Sequence, residues 1–276
     1  MIDVGVHPRV TLNDGSQMPV LGLGVYQAPP GRTTHAAVKV ALECGYRLID
    51  TATLYRNEAD VGNAVRASGI PREDVFITTK LWNSDHGFES ARRACQESLR
   101  RLGLAYIDLY LIHWPVRGLR RESWRALVQL QKDSLCRSIG VSNYTIAHLE
   151  ELLANSPVVP SVNQVEFHPF LYQSELLDFC RAHAIQLEAY SPLARGLGMQ
   201  HPTVREVASR HRRTPAQVLI RWSLQHGAIP IPKSVRPERI RANAQVFDFD
   251  LPAGDMQALD RLSEGLHTAW NPEGTP

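Results

Sequence analysis

The sequence predicts an α/β chain folded as a (β/α)8 barrel, and three observations carry that expectation. Eight short apolar or β-branched runs recur along 276 residues, segments with helical spacing separate them, and no Gly-rich turn follows the first run. Alternation alone also fits an open doubly wound sheet. The count of eight and the lack of a phosphate-binding turn favour the closed barrel. No Pro/Gly/Ser-rich linker divides the chain, and barrels of about 250 residues fold as one unit, so a single domain over 1–276 is expected.

The elements follow in order. Segments 9–12 and 18–21 flank Asn13-Asp14-Gly15-Ser16, and Asp-Gly between apolar runs is hairpin chemistry. The strand candidates are 21–26, 46–52, 75–80, 108–114, 137–143, 161–167, 186–193 and 228–234. Between them, Ala36, Val40 and Cys44 recur every four residues, and Val61, Val65 and Ser68 continue the pattern. Segments 90–102 and 122–132 set apolar faces against Arg, Gln and Glu. Pro71 after Gly69 is a stop signal, and Thr214-Pro215 a capped start with proline in the first helical position. Residues 266–276 read as a loop.

Composition narrows the function. Hydrophobic residues make up 43 % of the chain, enough for a large core and too many for a disordered chain. Thirty basic against twenty-eight acidic residues give +2, so neither nucleic acid nor a membrane surface is an expected partner. No run of about 18 apolar residues is present, so no membrane-spanning helix is expected. Cys44, Cys95, Cys136 and Cys180 lie far apart without a CxxC pair, and the eleven histidines form no HExxH, so no metal site is expected. The opening segment has no uninterrupted apolar stretch of the secretory kind, and a cytoplasmic location is expected.

Barrel enzymes carry their chemistry at the carboxyl ends of the strands. Those ends read Asp50, Lys80, His113-Trp114-Pro115, Ser142-Asn143, Gln164, Tyr190-Ser191 and Lys233-Ser234, with Tyr55 five residues beyond Asp50. An aspartate and a lysine ending neighbouring strands can form a buried ion pair. A tyrosine beside that lysine is expected to have a depressed pKa and to serve as a proton donor near neutral pH. An imidazole from the next strand, at His113, can then orient and polarise a carbonyl oxygen.

Three stretches carry a family resemblance. Residues 45–62 (GYRLIDTATLYRNEADVG), 109–115 (LYLIHWP) and 231–243 (IPKSVRPERIRAN) resemble, in order, motifs of the aldo-keto reductases. The likeness runs from Val10 to about Leu262. It implies an N-terminal hairpin that plugs the barrel floor, and NAD(P)H-dependent reduction of small aldehydes and ketones, α-dicarbonyls or keto-sugars by a monomer. By position, it implies Tyr55 as proton donor, Lys80 and Asp50 as the pair that tunes it, and His113 as the group that orients the carbonyl. Ser142, Asn143 and Gln164 match the residues that hold the nicotinamide carboxamide, Tyr190 the ring on which it stacks, and Ser191 and Leu193 the cofactor groove beyond. Lys233, Ser234 and Arg239 match a clamp on the adenosine 2′-phosphate, with Val235 and Asn243 beside it, which implies NADPH; Arg236 adds a third cation.

Tyr26, Trp82 and Trp114 match the aromatic walls of the substrate pocket, under a short tail ending near Trp270. One departure is Ala242, where the family commonly has Glu; a weaker or faster-exchanging cofactor is expected. Arg117, Arg120 and Arg121 fall in the loop after His113, and are expected either to be solvated or to draw anionic carbonyl substrates toward the mouth. A cofactor-binding protein without turnover is the alternative reading, and the intact set of Asp50, Tyr55, Lys80 and His113 argues against it.

Overall fold

Period-two strands let alternate side chains serve two different surfaces, and this chain uses both. The computed structural model describes residues 8–272. It opens on an antiparallel hairpin, β1 (Arg9–Thr11) and β2 (Gln17–Pro19), in which Val10 pairs with Met18. The connection turns where the sequence predicts: Gly15 takes a φ of 87°, and the Asp14 carboxylate accepts the Ser16 N–H at 3.0 Å. Eight parallel strands follow, β3 (Gly22–Gly24), β4 (Leu48–Asp50), β5 (Phe76–Leu81), β6 (Ile107–Ile112), β7 (Cys136–Ser142), β8 (Val162–Glu166), β9 (Gln186–Tyr190) and β10 (Ile229–Pro230). Each lies beside its neighbours in sequence.

The ring closes between its first and last strands, where the Gly24 N–H donates to the Pro232 carbonyl at 3.3 Å and Gly24 bridges to Lys233. A Cβ on Gly24 would stand 2.8 Å from the Ile231 carbonyl oxygen, so closure requires glycine there. The barrel is therefore correct and the open sheet is not. All eight predicted runs coincide with a strand, with bounds that differ by a few residues: β5, β6 and β7 each extend one residue outside the run, and the others are shorter than their runs. The last run yields only two strand residues because Pro230 and Pro232 have no N–H to donate.

The helices are α1 (Arg32–Glu43), α2 (Glu58–Ala67), α3 (Phe88–Leu102), α4 (Arg120–Lys132), α5 (Ile146–Asn155), α6 (Ser174–Ala182), α7 (Pro202–Arg210), α8 (Pro215–Gln225), α9 (Pro237–Ala244) and α10 (Ala253–Asp260). Both α7 and α8 fall between β9 and β10. The Thr214 signal is a full capping box: its hydroxyl accepts the Gln217 N–H at 3.2 Å, and the Gln217 carbonyl oxygen accepts the Thr214 N–H at 2.9 Å. In α1 the repeat of Ala36, Val40 and Cys44 marks the edge of the buried face, with Val40 and Cys44 partly buried against the core. Ala36 is exposed and Cys44 lies past the helix end, while Thr34, Ala37, Val38, Ala41 and Leu42 are buried. Two stripes one residue apart share the same spacing, and a lone alanine does not tell them apart. Helices α2 and α3 meet at Gly62, where a Cβ would stand 1.8 Å from the Leu102 carbonyl oxygen.

The alternation produces two cores. Ile49, Ile77, Tyr110, Ile139, Val141, Leu187 and Ala189 face outward into the layer under the helices. Leu48, Phe76, Leu109, Leu111, Val162, Ile229 and Ile231 fill the barrel, and Leu12 and Met18 pack against them. The hairpin thus plugs the floor, at the amino ends of the strands. The inward positions at the opposite ends are polar.

Candidate active site

Parity delivers the site. Asp50 lies two residues beyond inward Leu48, Lys80 four beyond Phe76 and His113 two beyond Leu111, so all three enter the barrel at its carboxyl end. The Lys80 side chain is fully buried, and its Nζ donates to both Asp50 carboxylate oxygens at 2.7 Å and to the Thr51 carbonyl at 2.9 Å. The Tyr55 hydroxyl is 3.5 Å from the same nitrogen, which stands 5.1 Å from the phenol ring centre. Tyr55 rides a single 3-10 turn (Thr53–Tyr55) that ends at Arg56 in the left-handed region, φ 58°. Asn57 holds this loop. It accepts the Thr51 hydroxyl at 2.7 Å and donates to the Val25 and Ala28 carbonyls at 3.0 and 3.3 Å.

The His113 ring sits edge-on to Tyr55 and Trp82, with ring centres 5.8 and 5.1 Å away. Burial, helped by the Lys80 charge, holds its imidazole well below the usual range, so it is neutral, and its Nδ1 is buried without a partner. The expected depression of the Tyr55 pKa is not what the structure gives. Burial pushes the phenol well above its usual value, and Asp50, Tyr190, Tyr26 and Glu188 push the same way. The physical reason is that Lys80 is already bound by both oxygens of Asp50, so the pair offers little net positive charge to a phenolate beside it. Tyr55 therefore keeps its proton throughout the neutral range.

A row of amides and hydroxyls continues around the rim. The Ser142 hydroxyl donates to the Gln164 carbonyl at 2.8 Å, and Asn143 Nδ2 donates to the His113 carbonyl at 2.9 Å and to Ser142 Oγ at 3.1 Å. The Tyr190 hydroxyl donates to Asn143 Oδ1 at 2.9 Å. Gln164 Nε2 donates to Asp50 at 2.8 Å and to Glu188 at 2.7 Å, so both its hydrogens are taken and its carbonyl oxygen is left to accept. Asn143 sits at φ 62° and Ser191 at φ 50°, positions where a non-glycine residue is strained.

The chain as a whole resembles known proteins. The model of the Aldo/keto reductase family matches residues 20–264. This chain belongs to the aldo/keto reductase family. The reductase is 47 % identical to the glyoxal reductase of Bacillus subtilis and 46 % identical to a 9,11-endoperoxide prostaglandin H2 reductase of Trypanosoma cruzi. The alignments cover 96 % of this chain in both cases, and 96 % and 94 % of those proteins. Among solved structures, the aldo/keto reductase from Brucella melitensis superposes with a TM-score of 0.90 at 47 % identity, covering 93 % of this chain and all of that one. The reductase is an oxidoreductase acting on carbonyl groups, and its family works with a nicotinamide cofactor. No helix of the described residues is long and apolar enough to cross a membrane.

The rim fits such a cofactor. An amide head finds an acceptor in Gln164 and the half-buried ring of Tyr190 beside it, with half-buried Ser191 and Leu193 on the loop beyond. Lys233, Arg236 and Arg239 are exposed, and none makes an ion pair among the described residues. Ser234 is turned inward, where its Oγ accepts the Arg236 N–H at 3.1 Å. Val235 is half-buried, and Asn243 is buried on α9. Ala242 offers only its carbonyl, which accepts from Gln217 at 3.1 Å.

Of the three aromatic residues, Tyr26 lies 5.0 Å from Tyr55 and Trp82 5.1 Å from His113 between ring centres, while Trp114 stands 5.5 Å from Trp270. Two of the three arginines considered for steering, Arg120 and Arg121 on α4, both pair with Glu151 on α5. Sequence reasoning missed Glu166 and Glu188. Glu166 anchors the tail, accepting the Thr268 and Ala269 N–H groups at 2.9 and 3.1 Å and the Thr268 hydroxyl, and so sets Trp270 over Trp114. Both could have been found by parity. Glu188 stands between outward Leu187 and Ala189, and Glu166 shares the face of Gln164.

Proposed function

We propose that this reductase converts aldehydes or ketones (small carbonyls, α-dicarbonyls or keto-sugars) to alcohols with NADPH, Tyr55 delivering the proton. The observation that carries this is the Tyr55 hydroxyl 3.5 Å from the buried Lys80 nitrogen, with the His113 ring edge-on beside it. When bound, the nicotinamide supplies the hydride. His113 donates an N–H to the substrate carbonyl oxygen and fixes its direction. As negative charge grows on that oxygen, Tyr55 releases its proton to it; a phenol is far more acidic than an alcohol, so the transfer runs downhill. Lys80 supports the phenolate left behind, and Asp50 keeps the ammonium in place. Tyr26, Trp82 and Trp114 exclude water and offer apolar walls with little shape selection. The name of the Bacillus relative supports a place for α-dicarbonyls among the substrates.

The cofactor choice rests on Lys233, Arg236 and Arg239, which stand unengaged around Ser234 at the start of α9 and suit a dianionic 2′-phosphate. Replacing Lys233 with Gly and Arg239 with Ala together should weaken NADPH binding by about 100-fold or more while moving NADH less than about threefold, as fluorescence titration would read. Equal losses for both would remove the phosphate assignment. Position 242 of α9 carries alanine in place of a carboxylate, and Ala242→Glu should slow NADPH release measurably in stopped flow. An unchanged off-rate would show that the alanine is neutral.

The direct test follows absorbance of the reduced nicotinamide with aromatic aldehydes, α-dicarbonyls and keto-sugars. No turnover with any class, despite tight NADPH binding, would favour the non-catalytic reading. One domain over 1–276, acting as a monomer in the cytoplasm, completes the proposal. Sedimentation at a multiple of the chain mass would overturn the monomer.

A further inference from the structure

Glu188 is a buried carboxyl that the reaction described above does not use. It lies in the barrel interior on β9, fully buried, directly across from Gln164 on β8 in the parallel register. One nitrogen of Gln164 bridges two acids: Nε2 donates to Asp50 Oδ2 at 2.8 Å and to Glu188 Oε2 at 2.7 Å. The other oxygen, Glu188 Oε1, is buried without a partner. The titratable groups facing Glu188 are Asp50 from β4, Lys80 from β5 and Tyr55 from the loop after β4, while Ile229 of β10, Ile231 just beyond it and the uncharged Gln164 of β8 complete the surroundings.

The cluster holds one cation and two acids. Lys80 is committed to Asp50 through both oxygens, to the Thr51 carbonyl and to Tyr55. A second carboxylate in this buried layer would stand uncompensated. Two acids that share one donor do not both ionise readily, and the one without the ammonium keeps its proton. Burial and the Asp50 charge push the Glu188 carboxyl up to about 8, with Gln164 and Lys80 pulling against them.

We propose that Glu188 is a positioning residue of the reduction, orienting Gln164 while it is protonated and closing the alkaline limb of turnover when it ionises. The orienting role follows from the donors: with Nε2 claimed by two acids, the Gln164 carbonyl oxygen is fixed as the acceptor at the rim. The alkaline role follows from sign. A new negative charge in this cluster makes the Tyr55 phenolate harder to form, so the proton is released more slowly. Tyr55 itself does not titrate in that window, because burial already holds it well above its usual value.

This inference rests on Tyr55 being the donor, and its test separates the two. In the parent chain with saturating NADPH, kcat should fall about fivefold or more between about pH 7 and pH 9.5, whereas Glu188→Gln should fall less than about twofold, since the amide keeps the shape and cannot ionise. Parallel profiles would overturn the proposal. Infrared titration of the parent needs neither turnover nor a folded variant. The carbonyl stretch of a protonated carboxylic acid should disappear around pH 8. Its absence already at neutral pH would overturn the proposal. A chain that binds cofactor, reduces nothing and still shows the titrating acid would instead refute the Tyr55 reading and leave the Glu188 proton established.

Discussion

Replacing Tyr55 with Phe is expected to lower kcat for aldehyde reduction by about 10²–10⁴-fold, the range a positioned acid contributes. The change removes one oxygen, 3.5 Å from Lys80, and leaves the ring that packs against Tyr26 and His113. Cofactor dissociation constants should stay within about twofold, because the amide row and the cationic loop lie on other strands. A split of this kind, lost turnover with retained binding, identifies a group that acts on the reacting oxygen. If Tyr55→Phe retains more than about a tenth of the parent rate, another acid delivers the proton.

Lys80→Met should produce the largest combined effect. It leaves the Asp50 carboxylate buried with only Gln164 for a partner, and stranding a buried charge costs about 3–5 kcal/mol. Denaturant unfolding should show a loss of that order, and kcat should fall at least about 100-fold because the phenolate has no cation to lean on. Asp50→Leu combined with Lys80→Met tells stability from chemistry. Removing both charges should restore most of the unfolding free energy, since an apolar pair of similar volume can equal a buried ion pair. Turnover should stay low. If the double variant regains activity along with stability, Lys80 is a structural residue and its place beside the phenol is incidental.

The pH behaviour separates the acids by environment. Asp50 has an ammonium on both oxygens, while Glu188, hydrogen-bonded to the same amide, has none. Burial pushes both carboxyls up, but Lys80 pulls directly on Asp50, so Glu188 is the acid expected to change protonation in mildly alkaline solution and Glu188→Gln should broaden the profile upward. His113, neutral in the folded chain, adds no acid limb in the neutral range.

Local sequence determined a good deal. Asp14-Gly15 specifies a turn wherever it stands between two apolar segments, and the structure turns there. Thr214, Pro215 and Gln217 specify a helix start through contacts within three residues, and the capping box forms. Eight short apolar or β-branched runs specify eight strands, and polar residues ending them mark a working face, because an inward polar group at a strand end lies close to solvent. Asp50, Lys80, His113 and Tyr55 were legible as a set for that reason.

Other properties belong to the assembled barrel. Which face of α1 is buried depends on the layer it meets, and a spacing of four residues fits two stripes equally well. Arg120 and Arg121 read as free cations until α5 brings Glu151 beside them. The Tyr55 proton is the sharpest case. Next to a lysine, in isolation, a phenol should become more acidic; inside the barrel Asp50 takes that charge, burial dominates, and the shift reverses. Glu188 is a polar residue in a strand until closure of the ring brings it, through Gln164, to Asp50. Turns, caps and strand parity depend on a few bonded neighbours, so the sequence states them directly. The charge state of a buried group depends on every dipole and ion that folding places around it, and those come from strands more than a hundred residues apart.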